Sequence, residues 1–120
     1  MALQTSEYEK AVAALGRALA LPEDDITRDA SIQRFEFCIE LAWKVSKRYL
    51  GTDTSAPKQV VREMAQAGLI DDVTHWLVAI DQRNLSSHTY NEALAVEVYR
   101  FAEAFLPALQ ALVERLNKTP

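Results

Sequence analysis

Leu94, Val98, Phe101, Phe105, Leu109, Leu112 and Leu116 recur every three or four residues through the last part of the chain. This is the period of one face of an α-helix; a strand, with its two-residue period, cannot bring such a series to one side. A helix this long with one apolar stripe has to bury it against other elements. The chain offers only further helices for that purpose. Over residues 6–20, Tyr8, Val12, Leu15 and Leu19 repeat at helical spacing, with Ala11 and Ala18 beside them, until Leu21-Pro22 ends the run. A second helix is predicted over 29–50, with Thr27 or Asp29 as its cap and Gly51 as its stop. A shorter one follows over 56–67, capped by Ser55, opened by Pro57 and closed by Gly68, with Val60, Val61 and Met64 facing inward. Asp71 and Asp72 suit the start of a fourth, which carries Val73, Trp76, Leu77 and Ile80 and reaches Arg83. The fifth covers 91–117, and Pro107 inside it removes one backbone hydrogen bond and predicts a kink.

No stretch alternates as a strand would, nothing repeats internally, and the connections run to only about four to eight residues, as between antiparallel neighbours. The expected fold is all-α: an up-and-down bundle of four to five helices forming one domain over 1–120, the last helix long and kinked at Pro107. The second helix is unusual in carrying two apolar stripes. Phe35, Ile39, Ala42, Ser46 and Tyr49 make one; Phe37, Cys38, Leu41 and Val45 make the other. A helix apolar on more than one side is central or shared with a partner. In a chain of 120 residues with little room to enclose a helix, this predicts a homodimer.

Composition narrows the function. With 49% hydrophobic and 25% charged residues, the chain can fold on its core without disulfides or metals. A net charge of −4 argues against coating nucleic acid by bulk charge, but leaves room for one local basic site. The lone Cys38 cannot form an internal disulfide and reads as a small buried hydrophobe. No Cys/His cluster has zinc spacing. The first residues lack the basic and apolar regions of a secretory leader, and no apolar run approaches the roughly 18 residues of a membrane span. The expected location is the cytoplasm, without membrane association.

The densest polar stretch, residues 81–91, interrupts the last two strongly patterned helices. It reads either as an exposed connection, with Ser, Thr and Asn as caps, or as a site. His88 can exchange protons near neutral pH. Arg83 can hold a phosphate by two parallel hydrogen bonds, with Asn84 and Ser87 placed to orient either. These are the parts needed to cleave RNA without a metal or cofactor, His88 as general base or acid and Arg83 stabilising charge on phosphorus. On a continuous helix the two would point about 140° apart. They can converge only across a helix break, which Ser86-Ser87 favours, or across a dimer axis.

The second helix also carries a polar stripe. Gln33, Glu36, Glu40 and Lys44 fall within about 80° of one another at 100° per residue. Glu40 and Lys44 attract at four-residue spacing while Glu36 and Glu40 repel. The stripe is either a solvated face or the wall of a cleft, with an arginine such as Arg83 neutralising the carboxylates or His88 set against Glu36. Glu36 and Glu40 lack a third ligand for a metal, and no metal is expected. His75 reads as a surface or cap residue, and Trp43 and Trp76 as core or interface anchors.

The order Arg83-Asn84, three residues, His88-Thr89-Tyr90 resembles the Arg-x4-His-x-Tyr signature of HEPN-domain proteins. Within that superfamily, the run from Arg28 to Lys44 is similar to nucleotidyltransferase substrate-binding subunits. So are Gly68-Leu69-Ile70-Asp71-Asp72, Trp76, and Asp81-Gln82-Arg83-Asn84-Leu85-Ser86-Ser87-His88. The resemblance covers roughly residues 5–116. It implies a dimeric helical bundle bound by a minimal nucleotidyltransferase encoded nearby, and, for this chain, a substrate-binding or regulatory role. The related HEPN toxin–antitoxin pairs imply the alternative, a metal-independent ribonuclease toxin acting on RNA. In that case Arg83 and His88 would be the catalytic pair, and Tyr90 a hydroxyl that the partner could adenylylate. A dimeric scaffold without catalysis is the third reading.

Overall fold

The computed structural model describes residues 5–118. It contains α1 (Ser6–Leu19), α2 (Asp25–Leu50), α3 (Pro57–Gln66), α4 (Val73–Leu85), a short 3-10 turn (Ser86–His88) and α5 (Glu92–Asn117), with no strand among the described residues. The all-α bundle expected from the periodicity is present.

The helix starts show which caps win. α2 begins four residues before the predicted point. Asp24 takes the N-cap: its carboxylate accepts from the Thr27 amide at 2.7 Å, while the Thr27 hydroxyl accepts from the Asp24 amide at 2.8 Å. That reciprocal box satisfies two orphan amides at once. Thr27 is therefore the third helical residue rather than the cap, and Asp29 lies inside the helix. α3 starts after Ala56, with Pro57 in its first turn, so Ser55 stands outside and makes no cap. Asp72 caps α4, accepting from the His75 amide at 3.0 Å, and Asn91 caps α5, accepting from the Leu94 amide at 3.2 Å. α2 ends at Gly51, whose φ of 68° is the left-handed conformation that glycine adopts without penalty. Pro107 sits inside α5, which stays helical through it to Asn117.

α2 is the central helix: α1, α3, α4, α5 and the 3-10 turn all pack on it. Phe35, Cys38, Ile39, Ala42, Val45 and Ser46 are buried from this helix. The two stripes are thus explained mostly by its position. The exception is Phe37, 44% exposed on the outer side, with Leu41 only half-buried beside it. The core also takes Val60, Val61 and Met64 of α3, Trp76 and Ile80 of α4, and the α5 stripe from Val98 through Leu116, in which Phe101 is half-buried.

Two polar ties fix the ends. The hydroxyl of Thr5 lies 2.9 Å from Glu9 and 3.1 Å from Asn117, so the start of α1 meets the end of α5 and the two run antiparallel. Deeper in, the buried Tyr8 hydroxyl donates to the Leu109 carbonyl at 2.8 Å. Burial pushes the pKa of Tyr8 well up, so it remains a neutral donor. Burial likewise lifts the Cys38 thiol to about 12, which makes it the inert small hydrophobe expected. His75 has more packing than a surface residue: its ring meets Phe101 and Phe105 edge-on, with centroids 5.4 and 4.7 Å away. Among the described residues no helix is long and apolar enough to cross a membrane.

Candidate functional site

α4 stops at Leu85 because the serines that follow draw the backbone away from helical pairing. The Ser86 hydroxyl donates to the Arg83 carbonyl, Ser87 to Asn84 at 3.1 Å, and Thr89 to Ser86 at 3.0 Å. Three hydroxyls thus bond to carbonyls three residues back, and at Arg83 the hydroxyl joins the Ser86 amide on the same oxygen. The Asn91 amide then donates to the His88 carbonyl at 3.1 Å, and Asn91 opens α5. The break foreseen between Arg83 and His88 is this turn.

Arg83, in the last turn of α4, reaches across to α2. Its Nη2 lies 3.1 Å from Glu40 Oε1, and the other carboxylate oxygen lies 3.1 Å from Lys44 Nζ. The Trp43 indole N–H also points to Glu40, at 3.4 Å. Partial burial by itself would raise the Glu40 pKa. The hydrogen bond from Lys44, the charge of Arg83 and the indole of Trp43 outweigh it and hold the carboxyl below its usual range. Glu40 is thus an ionised clasp between two cations. Two further bonds fix this end of α4: Lys58 pairs with Asp81 at 2.7 Å, and the Gln82 amide donates to Glu97 at 2.8 Å.

His88 lies beyond the turn and faces solvent. Its ring meets Tyr90 edge-on, centroids 6.2 Å apart. Tyr90 is 89% exposed. The predicted residues therefore separate into two groups. Arg83, Glu40 and Lys44 form one cluster; His88 and Tyr90 form a second, across the turn. Asn84 and Ser87 contribute to the turn itself. Gln33 is exposed and Glu36 half-buried on α2, and His88 makes no ion pair with Glu36. Trp43, read from the sequence as an anchor alone, is also a partner of Glu40. Its position three residues after Glu40 on the same helix is the signal that would have found it. Among the described residues no three His, Cys, Asp or Glu side chains converge as a metal site.

The chain is similar along most of its length to several known proteins. A Haemophilus influenzae protein described as a probable ribonuclease HepT is 36% identical over 96 residues, covering 73% of this chain. The chain spans 66% of that relative's length. A Thermus thermophilus structure is similar at 35% identity and a TM-score of 0.86, over 92% of this chain and 99% of that one. A Haemophilus influenzae structure, described as revealing the fold of a substrate binding domain of a nucleotidyltransferase, matches at 29% identity and a TM-score of 0.86. It covers 96% of this chain and 100% of that one. The family model for nucleotidyltransferase substrate binding protein like sequences matches residues 3–118. Across nearly its whole length, then, the chain belongs to the nucleotidyltransferase substrate binding protein like family.

Proposed function

We propose that this chain is the substrate-binding or regulatory subunit of a minimal nucleotidyltransferase encoded nearby, and that it works in the cytoplasm as a homodimer within a heteromeric complex. The observation that carries this is the family match over residues 3–118, together with a likeness to a structure described as a nucleotidyltransferase's substrate binding domain. The partner would be recognisable from its gene as a short reading frame with a Gly-Ser and paired-Asp nucleotidyltransferase motif. Co-expression of the two with a tag on one chain tests the proposal. Retention of the untagged chain through purification is the expected result; its loss at the first wash removes the main support.

A second reading is favoured by the turn at Ser86–His88 and by the relative described as a probable ribonuclease. In it, His88 takes the proton of a ribose 2′-hydroxyl, the resulting oxygen attacks the adjacent phosphorus, and the 5′-oxygen leaves. The leaving oxygen takes a proton from water, and the products are a 2′,3′-cyclic phosphate and a 5′-hydroxyl. Arg83 stabilises the charge that builds on the phosphoryl oxygens. Asn84 and Ser87 hold the turn that sets the two apart, while Gln33, Glu36, Glu40 and Lys44 form the adjoining wall. Cleavage of RNA in EDTA, lost in Arg83→Ala and His88→Ala, is the outcome expected of this activity. Intact RNA over a wide range of concentrations of the partner-free protein would remove it. Tyr90 would serve as the point of control: its phenolic oxygen attacks the α-phosphorus of ATP on the partner, pyrophosphate leaves, and an adenylyl group stays on the ring. Mass spectrometry of the peptide holding Tyr90 would detect this, and Tyr90→Phe would abolish it.

A further inference from the structure

The outer face of α2 carries a second pattern that shares only Lys44 with the site described above. Arg34, Phe37, Leu41, Lys44 and Arg48 fall within about 80° of one another at 100° per residue. Arg34 to Arg48 is about 21 Å along the axis. This chain has a net charge of −4, yet the stripe contains three cations and no carboxylate. Arg34, Phe37, Lys44 and Arg48 are exposed. Arg34 spreads its guanidinium over the Phe37 ring, 5.9 Å from its centroid. Neither Arg34 nor Arg48 has an ion pair among the described residues. Past Leu41 the stripe opens into a cavity of about 270 Å³ between α2 and the first turn of α1, where Ser6, Glu7 and Tyr8 face Lys44 and Arg48. That is below the volume of most sites for drug-sized ligands and suits one base or one phosphate. The stripe is also continuous with the candidate site, because Lys44 shares the Glu40 carboxylate with Arg83.

We infer that this face binds a single-stranded RNA, with Arg34, Lys44 and Arg48 along the phosphates and Phe37 stacked on a base. Aligned cations with an interleaved aromatic ring are what a single strand requires, whatever its sequence. The length admits about four nucleotides, the low end of such sites. A second copy of the chain fits less well, since pairing this face with itself brings like charges together, while Glu40 already serves two cations and Glu7 lies only at one end of the stripe. The choice of RNA over DNA rests on the ribonuclease reading; affinity for a single strand does not.

The test is fluorescence anisotropy of a labelled 2′-O-methyl oligouridylate of about twelve nucleotides with the full chain, across a salt series. The probe resists cleavage, so binding is read whether or not the chain is a ribonuclease. Binding should weaken about tenfold in Phe37→Ala. In Arg34→Ala/Arg48→Ala, the slope of log affinity against log salt should fall by about 1.4, at 0.7 for each phosphate contact. Circular dichroism confirms that both variants fold. No binding at low salt, binding untouched by both variants, or equal competition by polyglutamate would each overturn the inference. So would a change of oligomeric state in these variants without RNA binding, which would assign the face to contact between copies of the chain.

Discussion

Replacing Glu40 by Gln keeps the shape of the side chain and an oxygen for the Trp43 indole, but removes the charge that holds Arg83 and Lys44. Both ion pairs are 3.1 Å long, and the side chains of Glu40 and Arg83 keep 32% and 38% of their exposure. Solvent at such exposure screens the attraction, so each pair is worth about 0.2–1 kcal/mol. The loss should be about 1 kcal/mol in all. At roughly 2.1 cal/mol/K per residue, the unfolding entropy of a chain this size is about 0.25 kcal/mol/K, so the midpoint should fall by about 4 °C. The pH dependence follows from the direction of the Glu40 shift. Its pKa is lowered in the folded chain, so its stabilisation is present above the pKa of the unfolded carboxyl and is lost as pH falls through the folded value. Urea unfolding of the two proteins, followed by circular dichroism, should therefore show a gap at pH 7 that closes in acid below the usual carboxylate range. Molar salt should narrow it too. Equal stability at pH 7, or a gap that persists in acid, would refute the electrostatic account of this clasp.

Three other outcomes follow from the same structure. Tyr8→Phe should cost about 1 kcal/mol, because it removes the bond from its buried hydroxyl to the Leu109 carbonyl; thermal unfolding measures this. Asn91→Ala should cost about 1 kcal/mol by removing the cap of α5, again read as a lower midpoint. Cys38, buried and with its thiol raised to about 12, should be silent to a thiol reagent at pH 8 and react once the chain is unfolded in guanidinium.

The order of helices was legible because each apolar stripe has one period, and because Gly51 and Asp72 leave few choices of end. The start of α2 was not. Asp24, Asp25, Thr27 and Asp29 are all acceptable caps, and only the mutual bond of Asp24 with Thr27 decides among them. The usual box carries Glu or Gln at its third position, so Thr27 gave no such signal. At the candidate site, the break after Leu85 could be foreseen from Ser86-Ser87, since those hydroxyls compete locally for helix carbonyls. The Arg83–Glu40 pair spans α4 and α2. Sequence could offer it as one arrangement among several, but only the packing of the two helices selects it and leaves Glu36 without Arg83 or His88. The stripe from Arg34 to Arg48 was obscured because Phe37 and Leu41 read as apolar core positions, and only exposure separates them from Cys38 and Val45.

The central claim is that this chain functions bound to a nucleotidyltransferase. Native mass spectrometry of the chain co-expressed with the product of its neighbouring nucleotidyltransferase gene tests it most directly. The account predicts a single assembly containing both chains, with two copies or a multiple of two of this one. Spectra holding only the separate proteins, at concentrations where each is folded, would contradict it.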